Sequence, residues 1–123
     1  MAALTGKHDL AFAQLDLLSP QFAKELGAFD TVTAIHILEH LPEEHLSLAF
    51  EQLLRVTRDR LIVTVPYEAE PTRAYGHEQV FTREKLACWG RWCVESLAGI
   101  ACYWCEEVAG GVLIVDRLID SRP

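Results

Sequence analysis

The run RLIVTV at residues 60–65 is the sequence feature that most constrains the fold of this chain. It is nearly continuously apolar and rich in β-branched residues, which is typical of a strand covered on both faces in a parallel sheet. Pro66 ends this run, and a second β-branched run lies at residues 31–36. The two runs predict the central strands of an α/β domain.

Helix signals separate the predicted strands. Ser19-Pro20 predicts a helix start, with serine as the N-cap and proline at the first helical position, and Gly27 predicts the end of that helix. A second helix is predicted to begin at Pro42, where two glutamates favour the positive helix end. Thr82 can cap a third helix.

Three further strands complete the expected pattern. Residues 10–15 form the first extended segment, and residues 101–108 and 112–119 form the last two. Gly110-Gly111 joins the last two strands, and so short a link predicts an antiparallel pair. The sequence thus predicts a single domain over residues 1–123, with a mainly parallel sheet that has an antiparallel end.

The composition excludes several classes of protein. Eighteen acidic against 11 basic residues give a net charge of -7, which argues against sequence-independent nucleic-acid binding. The apolar runs fall short of the roughly 20 residues that cross a bilayer, so no membrane span is predicted. The N-terminal residues show no secretory signal, and four cysteines in such a chain favour reduced thiols and a cytoplasmic location.

The cysteines also allow a four-thiolate zinc site, which their predicted geometry disfavours. Cys88 and Cys93 are five residues apart on a predicted helix and point in different directions. Cys102 and Cys105 lie on opposite faces of a predicted strand. Buried thiols are therefore the expectation.

Candidate ligand-binding residues follow the predicted strands, because ligands of such sheets bind beyond the carboxyl ends of the strands. These positions are Asp16-Leu17, residues 36–41 and residues 66–77. Three of the five histidines, His36, His40 and His77, lie there.

Two segments resemble class I S-adenosylmethionine-dependent methyltransferases. FDTVTAIHILEHLP at residues 29–42 and RLIVTVP at residues 60–66 look like the fourth and fifth strands of that family, and FAQLDLL at residues 12–18 is similar to its third strand. The resemblance implies a truncated Rossmann-like methyltransferase sheet and S-adenosylmethionine as cofactor. The sheet order that it implies is 3-2-1-4-5-7-6.

The resemblance also implies particular cofactor contacts. Asp16 would hydrogen-bond the adenine amine, and Leu17 would supply a backbone contact. Ala34, Ile35 and His36 would line the cofactor at the end of the fourth strand. By itself, Asp16 favours a turn residue that bonds nearby backbone amides, and the match at residues 29–42 makes the cofactor role the better prediction.

The family's glycine-rich first turn has no counterpart in this sequence. Its 7 glycines form no G-x-G, and the acidic residue that holds the ribose hydroxyls is also missing. The strands that would lie beside the fourth strand are missing too, which would leave it an unpaired apolar edge. The first strand could pair there directly, another chain could fill the gap, or this could be a remnant of a longer reading frame. We expect association, as a homo-oligomer or with a complementary N-terminal fragment.

A second group of polar residues suggests metal binding. His36, Glu39 and His40 stand at i, i+3 and i+4, so one helical turn would place them on one side, and His77 could converge with them. This group resembles the metal cluster of small-RNA 2′-O-methyltransferases and some ubiquinone-biosynthesis O-methyltransferases, with His36 in place of a glutamate. Such donors favour Mn, Fe, Co or Zn over Mg. Alternatively, Glu39 and His40 only stabilise the turn, and His36 packs beside the adenosyl group.

These expectations leave two functions. One is methyl transfer from S-adenosylmethionine to a small hydroxylated metabolite or sugar, with His36, His40 or His77 accepting the hydroxyl proton. The polar loop at residues 67–81 would cover this small-molecule acceptor. The other is a non-catalytic remnant, or a partner subunit of a split methyltransferase, that has lost cofactor binding.

Overall fold

Helices and strands alternate along the chain in a computed structural model that describes residues 11–98 and 100–118. The helices are α1 (Phe22–Leu26), α2 (Leu46–Arg55) and α3 (Arg83–Ser96), and the strands are β1 (Phe29–Ile35), β2 (Thr57–Val65), β3 (Ala101–Glu107) and β4 (Gly111–Arg117). Three short 3-10 turns lie at Leu38–His40, Glu43–His45 and Arg73–Tyr75. No helix in the described part of the chain is long and apolar enough to span a membrane.

The four strands form one mixed sheet in the order β1-β2-β4-β3. β1 and β2 are parallel, whereas β4 is antiparallel to both β2 and β3. The predicted α/β class, with a parallel start and an antiparallel end, is confirmed. The order also corresponds to the 4-5-7-6 part of the sheet that the family resemblance implies.

The apolar run at residues 60–65 belongs to a central strand, because β2 lies between β1 and β4. Leu61, Val63 and Val65 are fully buried on one face, against a core that α2 and α3 complete with Phe50 and Leu86. On the other face of β2, Ile62 and Thr64 are half-buried and Arg60 is exposed. One face of the sheet therefore carries the main core.

The predicted first strand at residues 10–15 is not found over residues 11–15, which have no regular secondary structure, and Leu10 lies outside the described residues. The chain instead turns at residues 16–21, where the Asp16 carbonyl accepts a hydrogen bond from the Ser19 amide. Residues 11–15 therefore do not pair with β1. β1 is an edge strand of the described sheet, and its Ile35 is 62% exposed.

The predicted capping residues locate the start of one helix correctly and the start of another too early. Thr82 caps α3 as predicted, because its Oγ1 accepts from the Lys85 amide at 3.1 Å. α1 begins later than predicted, since the Ser19 hydroxyl accepts from the Gln21 amide within the preceding turn. The four cysteines are free thiols, and burial raises the pKa of Cys93 to about 12.

The contact between α3 and the sheet depends on the absence of a side chain at Gly90. A Cβ at this position would lie 2.4 Å from Tyr103 Cδ2 and 2.8 Å from Leu113 Cδ1. We expect Gly90→Ala to lower the free energy of unfolding by about 1–2 kcal/mol in urea titrations, because overpacking outweighs the better helix propensity of alanine. Cys88→Ala, at an exposed position of the same helix, should change it by less than about 0.5 kcal/mol. A more stable Gly90→Ala variant would contradict this packing.

Candidate functional site

Glu39, His40 and His77 form a cluster at the edge of the sheet where β1 and β2 end. Glu39 and His40 lie in the 3-10 turn that follows β1, and His77 lies in the loop that follows β2. One potential ligand atom from each of the three residues lies within 4.8 Å of the others. Glu39 and His77 are buried, and His40 is exposed, so the cluster opens to solvent at His40.

Hydrogen bonds to backbone carbonyls hold the two loops together. The Glu78 amide donates to the Glu39 carbonyl at 2.8 Å, and the Gln79 side-chain amide donates to the Leu41 carbonyl at 2.5 Å. Gly76 turns the loop with φ 76°, in the left-handed region that favours glycine. These contacts place His77 next to His40, with ring centroids 4.9 Å apart.

The hydrogen bonds of the two histidines indicate which ring nitrogen is available. His40 Nδ1 lies 3.1 Å from the Gly76 carbonyl, and His77 Nδ1 lies 2.8 Å from Glu68 Oε1. Both partners are acceptors, so in the neutral rings each Nδ1 carries the proton and donates it. This assignment leaves the Nε2 lone pair of both histidines free to bind a cation or to accept a proton.

The Glu39 carboxylate is unusually placed for a charged group. It is 1% exposed, and neither of its oxygens has a hydrogen-bond partner among the described residues. The nearest potential cation is His40, whose Nε2 lies 3.8 Å from Glu39 Oε2. Burying a carboxylate without a partner is unfavourable. A divalent cation held by Glu39, His40 and His77 would supply that partner, and two imidazoles with one carboxylate suit Mn, Fe, Co or Zn.

His36 does not join this cluster, although the sequence placed it there. It has φ 51°, in the left-handed region, and its amide donates to the Thr64 carbonyl at the end of the parallel pair. The 3-10 turn begins only at Leu38, so the helical spacing from His36 to His40 does not exist. His36 is exposed at the end of β1.

The residues that the resemblance assigned to the cofactor do not share one site in the structure. Leu17 and Ala34 line one apolar groove of about 460 Å³, which runs beside β1 and also contacts Phe22 and Leu53. Ile35 points to solvent. The lining of this groove does not include Asp16.

The Asp16 carboxylate has the local role that the residue alone would predict. Its Oδ1 accepts from the Leu18 amide at 2.9 Å, as in a turn.

Glu68 is a residue whose position sequence reasoning did not predict. The sequence grouped it with loop residues suited to a polar substrate, whereas it bonds His77 and Thr72. Hydrogen bonds from Thr72 and then His77 lower the pKa of the Glu68 carboxyl. Glu68 and His77 are nine positions apart, and the eight residues between them form no helical or strand repeat, so no periodic signal pairs the two.

Comparison with known proteins supports the fold. No family model and no curated protein matches this sequence. Among solved structures, the chain is similar to magnesium protoporphyrin IX methyltransferase from Synechocystis PCC 6803, which was crystallised with bound SAH. The match has a TM-score of 0.59 and 16% identity over 90% of this chain. The chain spans about half of that structure, 53% of its length. This likeness confirms a fragment of a methyltransferase-type Rossmann-like fold.

Proposed function

We propose that this chain is the part of an S-adenosylmethionine-dependent methyltransferase that carries the acceptor side of the active site. The reaction would be methyl transfer to a hydroxyl oxygen of a small metabolite or sugar. The observation that carries this proposal is the fold match over 90% of the chain, to an enzyme crystallised with SAH. The polar cluster supports it, because it lies beyond the carboxyl ends of the parallel pair, where such sheets bind ligands.

The second part of the proposal is a divalent metal site at Glu39, His40 and His77. Its support is the buried Glu39 carboxylate without a hydrogen-bond partner among the described residues, beside two histidines with free Nε2 atoms. The cation would lower the pKa of a hydroxyl group bound to it.

A histidine lone pair that binds a cation cannot also accept a proton. His40 and His77 would therefore bind and orient, which leaves His36 as the proton acceptor at the solvent-exposed end of β1. S-adenosylmethionine, when bound, would supply the methyl group from its sulfonium and leave as SAH, and His36 would accept the proton that the methylated hydroxyl group loses. The polar loop at residues 67–81 would orient the acceptor for this in-line displacement.

The third part of the proposal concerns the open edge of β1. The apolar groove beside this strand contains Leu17 and Ala34, but the sequence has no glycine-rich turn that would complete a cofactor site there. A second copy of this chain could not supply such a turn. We therefore propose that a complementary polypeptide segment adds a strand to β1 and brings the glycine-rich turn with it.

A non-catalytic partner subunit is the second candidate function, and the absence of any G-x-G favours it. In that case the sheet would be kept for assembly, and the chain would have no affinity for S-adenosylmethionine or SAH. Cofactor binding separates the two functions directly.

Titration of the isotope-labelled chain with SAH, followed by NMR, tests the methyltransferase proposal. We expect amide shifts at Leu17, Ala34 and Ile35, weakened by Leu17→Asp because a charge would enter the apolar groove. Val108→Asp, at a side chain that is 71% exposed, is the matched control and should leave the shifts unchanged. No shift at saturating SAH, both for the chain alone and with the complementary segment bound, would favour the non-catalytic partner.

Calorimetry with Mn²⁺, Co²⁺ and Zn²⁺ tests the metal site. We expect one ion per chain, and a loss of affinity of at least about tenfold in Glu39→Gln, because a charged ligand is removed. Metal-free Glu39→Gln should melt at a higher temperature than the wild type, since a buried carboxylate without a hydrogen-bond partner among the described residues is gone. Glu70→Gln, at an exposed position after β2, is the control for charge alone. Equal metal affinity in both variants would exclude Glu39 as a ligand.

Substitution at Thr33 tests the proposed use of the β1 edge. The His36 amide bonds β2, so alternation along the strand directs the Thr33 amide to the open edge. The tagged chain should capture from its source cells a polypeptide whose sequence contains a strand followed by a glycine-rich turn. Thr33→Pro removes one edge donor and should abolish capture, whereas Thr33→Ala should retain it. Capture that is unaffected by Thr33→Pro would contradict this interface.

A further inference from the structure

We propose that Glu68 is a positioning residue that fixes the ring of His77 with its Nε2 directed to the Glu39 cluster. This inference rests on the metal site of the proposed function and adds a residue that acts through His77. Glu68 lies three residues after the end of β2, and its carboxylate reaches across the loop to His77 Nδ1 at 2.8 Å.

The Glu68 carboxylate is itself held by a second residue. Its Oε2 accepts from the Thr72 hydroxyl at 2.5 Å, and its Oε1 also lies 3.4 Å from the Thr72 amide. The side chains of His77 and Glu68 are only 9% and 17% exposed, so water competes little for these bonds. A continuous chain of hydrogen bonds therefore runs from Thr72 through Glu68 to His77 and restricts the orientation of the imidazole.

The two carboxylates near His77 differ in a way that separates their roles. Both oxygens of Glu68 accept hydrogen bonds, whereas both oxygens of Glu39 lack partners within the described residues. Glu68 is thus engaged on the side of the ring away from Nε2, and Glu39 remains available. A carboxylate that accepts from the outer nitrogen of a ligating histidine fixes its tautomer and raises its basicity, and losing it costs about 10–100-fold in metal affinity.

The test compares Glu68→Gln and Thr72→Val with Glu70→Gln in the full chain. Long-range ¹H–¹⁵N spectra of the metal-free protein, at a pH where the imidazole is neutral, report the His77 tautomer. We expect the Nδ1–H form in the wild type and in Glu70→Gln, and a mixture in Glu68→Gln, because glutamine accepts more weakly and can also present its amide donor. A purely structural role in the loop would lower the melting temperature without changing the tautomer.

Titration with Co²⁺ and Zn²⁺ gives the second measurement. We expect affinity to fall about 10–100-fold in Glu68→Gln and by less in Thr72→Val, which keeps the carboxylate but removes one of its donors. If Glu68→Gln does not fold, Thr72→Val still decides the question by the same two measurements.

The outcomes distinguish the two proposals. A wild type that binds no metal refutes the metal site, while the tautomer spectra still test Glu68. A wild type that binds metal, together with an unchanged tautomer and unchanged affinity in the two variants, overturns the positioning role.

Discussion

The parallel pairing of β1 and β2 is the constraint on which the candidate site depends. Two parallel neighbours end at the same edge of a sheet, so the segments that follow them meet even though they are far apart in sequence. The turn after β1 carries Glu39 and His40, and the loop after β2 carries Glu68 and His77. The backbone bond from Glu78 to the Glu39 carbonyl then fixes their separation. Without this pairing, the four side chains would have no common site.

The two carboxylates of the candidate site differ in their hydrogen bonding. Glu68 is saturated with hydrogen bonds and has a lowered pKa, so it is stable as an anion that orients a neighbour. Glu39 is buried and lacks such bonds within the described residues, which makes it unfavourable until a cation is near. Protein interiors normally satisfy buried polar groups, so the Glu39 carboxylate without a partner among the described residues is the observation on which the proposed metal site rests.

The edge of β1 is the least complete part of the structure. Strands that end a sheet are usually short, charged or covered, whereas β1 is exposed along most of its seven residues and borders an apolar groove. The match to about half of a longer methyltransferase structure agrees with this picture.

The sequence alone predicted the α/β class, the antiparallel end and the cap at Thr82, because apolar runs, glycine turns and capping residues act over a few neighbours. The sequence also predicted Glu39, His40 and His77 as site residues, because they follow predicted strands. It failed at residues 11–15, which have no regular secondary structure although the edge of β1 is open in the described sheet, and at His36, whose left-handed backbone breaks the expected helical spacing. The hydrogen bond between Glu68 and His77, and the lack of a partner for Glu39 among the described residues, became visible only in the tertiary structure. These properties depend on hydrogen bonds and burial between segments that no local pattern connects.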